Sequence, residues 1–150
     1  MGKVIAITGK GGTGKTATTA MLIRYLVKNP GEKGRILAID ADPDANLADA
    51  LGVKVDKTVG DMREFMQESR FTAAPDTDKQ ALFEAKIFEI LLEEDGYDLL
   101  VMGKPEGSGC YCYVNNLLKA IMDKTSADYD LIVIDTPAGL EHFSRKIFPD

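Results

Sequence analysis

Residues 9–16 read Gly9-Lys10-Gly11-Gly12-Thr13-Gly14-Lys15-Thr16, the G-x-x-x-x-G-K-[ST] spacing of a phosphate-binding loop. Glycines let a backbone curl until several N–H groups face one anion, and a following helix adds the positive end of its dipole. Lys15 would then neutralise β- and γ-phosphate charge while the Thr16 hydroxyl holds Mg²⁺. The bland alternative is a plain Gly-rich turn between a strand and a helix. Further along, Asp40-Ala41-Asp42-Pro43-Asp44-Ala45-Asn46-Leu47 sets three carboxylates in a short polar stretch. Asp40 and Asp44 could also be loop acids that cap the next helix, and for Asp44 that reading is preferred. Asp135 closes an apolar run ahead of Thr136-Pro137-Ala138-Gly139, where a carboxylate can reach Mg²⁺ through water. Two thiols, Cys110 and Cys112, stand in Gly107-Ser108-Gly109-Cys110-Tyr111-Cys112, and the chain has no other cysteine. A bond between them would close a small, strained ring. Two sulfurs are half of a tetrahedral Zn²⁺ site or of a square-planar Ni²⁺ site, and a two-fold axis would complete it. Buried, inert cysteines are an equally open reading of the spacing alone.

Alternating elements must position these residues. Lys3-Val-Ile-Ala-Ile-Thr8, Arg35-Ile-Leu-Ala-Ile-Asp40, residues 97–102 and Leu131-Ile-Val-Ile-Asp135 are short apolar runs, read as four strands buried on both faces. Helices are expected at residues 15–28, 58–66 and 79–94, with a helical turn at 47–51 and a surface loop at 71–78. Val114, Leu117, Leu118, Ile121 and Met122 form one helix face. Strands alternating with helices imply parallel βαβ units, an open sheet covered on both faces, and ligands beyond the carboxyl ends of the strands. Each candidate residue above falls there.

Composition narrows the classes. The chain has 150 residues, 45% of them hydrophobic and 28% charged, which suits one globular domain over residues 1–150. The formal net charge of −6 argues against a nucleic-acid partner, which needs a basic footprint. No apolar run approaches the roughly 18 residues of a membrane helix, and the strand beginning at Lys3 leaves no room for a signal peptide. A cytoplasmic protein is expected. His142 reads as a surface helix residue.

The early lysine, Lys10, makes the loop resemble the deviant phosphate loop of the MinD/ParA/NifH/ArsA class of P-loop ATPases. Gly103-Lys104-Pro105-Glu106-Gly107-Ser108-Gly109-Cys110-Tyr111-Cys112-Tyr113-Val114-Asn115-Asn116, taken with that loop, resembles the CooC family, accessory ATPases for nickel insertion into carbon monoxide dehydrogenase. The resemblance implies a three-layer α/β P-loop NTPase with a mostly parallel sheet, of which this chain carries the part through the second switch but not the later strands that contact adenine. It implies ATP/ADP and Mg²⁺ as cofactors. Gly11, Gly12, Thr13, Gly14, Lys15, Thr16, Ala17 and Gly139 would contact nucleotide, and Thr16, Asp40 and Asp135 would surround Mg²⁺. Catalysis would fall to Lys10, reaching across a homodimer, to Lys15, and to Asp42, orienting the attacking water. Cys110 and Cys112 of two copies would share one Ni²⁺ (or Zn²⁺) for the client, carbon monoxide dehydrogenase or acetyl-CoA synthase. Other readings of the same residues are a MinD/ParA-type positioning ATPase and a catalytically inactive binding fragment.

Overall fold

Successive strand side chains fall alternately into two apolar clusters, so that each face of one sheet finds its own set of helices. The computed structural model describes residues 3–29, 31, 34–72, 78–104 and 111–137. The strands are β1 (Lys3–Ile7), β2 (Ile36–Asp40), β3 (Leu92–Glu94), β4 (Tyr97–Val101) and β5 (Leu131–Asp135), and the helices are α1 (Lys15–Lys28), α2 (Asn46–Leu51), α3 (Val59–Thr72), α4 (Lys79–Ile90) and α5 (Tyr111–Thr125). Strand order is β1-β5-β2-β4-β3, parallel throughout except for β3 against β4. On one face, Ile36, Ala38, Leu99, Val101 and Val133 pack against Ala20, Ile23 and Leu26 of α1 and Leu47 and Ala48 of α2. On the other, Leu37, Ile39, Leu100, Ile132 and Ile134 pack against side chains of α3, α4 and α5, among them Met62, Ile87 and Leu118. This is the expected three-layer α/β arrangement.

Three expectations change. Helix α4 stops at Ile90, and residues 92–94, read as its last turn, form the antiparallel edge strand β3. The cause is the Asp95-Gly96 turn: Gly96 sits at φ +88, and Asp-Gly between apolar runs is a hairpin signal. Helix α3 runs on to Thr72 rather than ending near Met66. Finally, β1 is not buried on both faces. Within the described sheet it is an edge strand with its residues mostly exposed, because β5 enters between β1 and β2.

A groove of about 360 Å³ lined by Arg35, Phe88, Tyr129 and neighbours lies at the amino ends of β2 and β5. It is at the far end of the strands from Asp40 and Asp135. Beside it, the buried Tyr129 hydroxyl donates to Asp98 Oδ2 at 2.6 Å and Arg35 donates to the same oxygen at 3.0 Å. Among the described residues, no helix is long and apolar enough to cross a membrane.

Candidate functional site

Parallel pairing in register brings the ends of three strands together. Ile7 stands opposite Asp135, and Asp135 opposite Asp40. The Thr136 hydroxyl donates to Ile7 O at 2.6 Å, tying the end of β5 to the strand that feeds the phosphate loop.

The loop takes the shape its glycines permit. Gly12 and Gly14 have φ of +75 and +86, a left-handed region that L side chains rarely enter. The Thr13 hydroxyl donates to Lys10 O at 2.7 Å, and Lys15 Nζ donates to the same oxygen at 3.1 Å. Lys15 thus folds back over the loop with its ammonium at the concavity, while Lys10 stands exposed. Helix α1 begins at Lys15 without a side-chain cap. Its first N–H groups, those of Lys15, Thr16 and Ala17, lack intrahelical partners, which leaves a donor set suited to phosphate.

Asp135 is almost fully buried at 1% exposure, and its Oδ2 has no hydrogen-bond partner. The Thr19 hydroxyl approaches Oδ1 at 3.3 Å. Burial pushes the Asp135 carboxyl above its ordinary range, against the pull of hydrogen bonds from Thr16 and Thr19. An orphaned buried carboxylate oxygen beside a hydroxyl suits a hard, oxygen-seeking cation, so Thr16 and Asp135 fit Mg²⁺. Thr19 was not among the residues singled out by the motif. Its signal is position, one turn after Thr16 on the same face of α1, and its hydroxyl also donates to Lys15 O at 2.9 Å.

Asp40 is fully buried. Its Oδ1 accepts the Asp42 N–H at 3.1 Å and its Oδ2 the Leu47 N–H at 2.9 Å. Burial pushes its pKa up to about 6, and those two N–H groups only partly offset the rise. A folded-state value above the unfolded one means stability is fully present below about pH 3.8 and is lost as pH rises through about 6. Across that window, apo wild type should lose about 3 kcal/mol relative to Asp40→Asn. Thermal melting of both proteins from pH 4 to 7 checks this through the difference in slope.

Asp42 is half-buried at the turn that follows. Asp44, read as a helix cap, instead forms an ion pair of 2.7 Å with Lys104. Lys104 follows the buried Gly103 at the end of β4, so this contact joins the acidic loop to the segment leading toward the cysteines. Cys112 falls at the second residue of α5. Cys110, Gly139 and His142 lie outside the described residues.

The sequence profile described as "AAA domain" matches residues 2–148. The chain belongs to the AAA_31 family. An uncharacterized ATP-binding protein of Methanocaldococcus jannaschii is 54% identical over 145 residues, covering 95% of this chain and 56% of that protein. The carbon monoxide dehydrogenase accessory protein CooC of Rhodospirillum rubrum is 37% identical, covering 94% of this chain and 57% of its own length. The septum site-determining protein MinD of Pyrococcus horikoshii, solved with Mg-ADP, superposes with a TM-score of 0.63 at 28% identity, over 98% of this chain and 54% of that one. The AAA_31 chain is thus a P-loop ATPase of the MinD/ParA kind, and it spans just over half the length of the curated relatives it matches.

Proposed function

We propose that the chain forms the nucleotide-binding part of an ATP-hydrolysing maturation factor that delivers nickel to carbon monoxide dehydrogenase. The observation that carries the ATPase half of this reading is the unpartnered, buried Asp135 Oδ2 beside Thr16 at the mouth of the phosphate loop. The client half is supported by the likeness to CooC together with the Cys110/Cys112 pair.

Phosphates sit on the amides of residues 11–17, and Lys15 turns from Lys10 O to the β- and γ-oxygens. Thr16 and Asp135 would hold Mg²⁺, which would supply neutralisation of phosphate charge. Asp42 holds the attacking water, and the exposed Lys10 reaches the partner copy's phosphates, an extra cation supplied only on assembly. Two Cys110/Cys112 pairs then hold one Ni²⁺ as cargo between the copies. Loss of the γ-phosphate releases the loop at residues 41–47, and the Asp44–Lys104 ion pair passes that release toward the thiols. ATP and metal are in this way coupled ligands of two sites. Acetyl-CoA synthase is the alternative client.

Native mass spectrometry with and without Mg-ADP and one equivalent of Ni²⁺ tests the reading. A dimer carrying one Ni²⁺ is expected, with the metal lost in Cys112→Ser while Mg-ADP still binds. Normal metal uptake by Cys112→Ser would remove the thiolate assignment. A monomer that takes neither ligand would leave the inactive-fragment reading standing.

A further inference from the structure

Two acidic side chains end neighbouring strands at the same level of the sheet, yet their oxygens are used differently. Asp135 keeps one buried oxygen without a partner. Asp40 has each of its oxygens on a backbone N–H. We infer that Asp40 is a positioning residue, which holds residues 42–47 in the shape that presents Asp42 and does not contact the ion. The inference rests on the Mg-nucleotide reading above.

The loop is closed at both ends by this one residue. It leaves β2 from a backbone already fastened: Asp40 O accepts the Met102 N–H at 2.8 Å, and the next amide, that of Ala41, donates to Asp135 O at 2.9 Å. Its far end is the first turn of α2. That turn is flanked by Ala45, which is left-handed at φ +53 and offers no side-chain cap. A helix start usually takes an oxygen from its own N-cap residue, and alanine has none to give. Asp40 Oδ2 supplies it from the neighbouring strand end by accepting the Leu47 N–H. Inside the loop, Ala45 N–H donates to Asp42 O at 3.0 Å and Asp44 N–H to Asp42 Oδ1 at 2.9 Å. The carboxylate of Asp42 is therefore oriented by a turn that is itself pinned at Asp42 N–H and Leu47 N–H by Asp40. Moving the fully buried Asp40 onto a cation would strip those amides of their acceptor, and for the buried Leu47 N–H an unmet donor is costly.

Three measurements on the chain decide it. Amide hydrogen exchange should show Asp42 and Leu47 protected in wild type, unchanged on adding Mg²⁺ alone, and at least about tenfold less protected in Asp40→Asn. A tenfold fall in wild-type Leu47 protection on Mg²⁺ addition would overturn the inference, and this arm needs no variant to fold. Fluorescent ADP titrations should show that Mg²⁺ tightens binding to Asp40→Asn within about twofold of its effect on wild type, while Asp135→Asn loses that effect. Loss in Asp40→Asn to the level of Asp135→Asn would place Asp40 on the ion. In phosphate release, Asp40→Asn should lower kcat about tenfold with KM for Mg-ATP nearly unchanged, and should cost nothing further in an Asp42→Ala background. An additive loss would mean Asp40 does not act through Asp42. If wild type binds ADP without regard to Mg²⁺, the ATPase reading fails, and the exchange data still judge Asp40.

Discussion

Lys15→Ala is expected to weaken ADP binding by roughly 100-fold or more, from the loss of charge-assisted hydrogen bonds to two phosphates. In the structure the Lys15 ammonium donates to the carbonyl of Lys10 at 3.1 Å. That is a neutral acceptor, readily exchanged for phosphate oxygens of full charge. The fold should hardly notice the change, because the buried face of α1 is made by Thr19, Ala20, Ile23 and Leu26. A fluorescent-ADP titration alongside a melting curve separates the two effects. The exposed Lys10 is the control: Lys10→Ala should keep ADP affinity within a few-fold of wild type. Equal affinity in Lys15→Ala and wild type would mean that residues 9–16 do not hold phosphate.

The second large effect is on stability. Gly103→Ala is expected to cost about 3 kcal/mol, which combines left-handed backbone strain with overpacking. Gly103 is buried at φ +64, and a Cβ there would lie 2.7 Å from Cβ and Oγ1 of Thr58 and 2.8 Å from its Cγ2. Rotating Thr58 gives no relief, since its own Cβ is among the atoms met. Its hydroxyl is also engaged with Asp61 at the start of α3. The backbone cannot easily retreat, because Gly60 N–H donates to Met102 O at 3.0 Å. Gly52→Ala isolates the backbone part: φ is +78 there, and nothing lies within 4 Å of the added Cβ. Thermal melting should place Gly103→Ala well below Gly52→Ala, with a difference of roughly 4–8 °C for a chain of this size. Equal melting temperatures would show that Thr58 yields freely.

The phosphate loop was legible in the chain because its chemistry is local: glycines, one lysine and one threonine at fixed spacing, flanked by an apolar run and a helical period. The three-layer fold was legible for a similar reason, since strands covered on both faces carry few polar residues. What could not be read depends on contacts between segments far apart. The apolar run at residues 3–7 looks central, and only the pairing of β5 with both β1 and β2 shows it to be an edge. Asp40 and Asp44 share one loop and one residue type. Yet Asp40 reaches amides within that loop, and Asp44 reaches Lys104, sixty residues on. Strand β3 was hidden by its composition, because Leu92-Glu93-Glu94 continues a plausible helix face until the Asp95-Gly96 turn reverses the chain.

The exposed position of β1 bears on how nucleotide affinity is set. This strand delivers the phosphate loop directly, and among the described strands only β5 holds it, so the β1–β5 pairing bears on its local opening. Each opening of β1 also dismantles the anion cradle. Whatever partner binds the folded loop draws the strand closed by mass action, and whatever secures the strand tightens the loop's grip by the same free energy. A contact made along the described strand Lys3–Ile7 would therefore also be felt at the phosphate loop that the strand feeds.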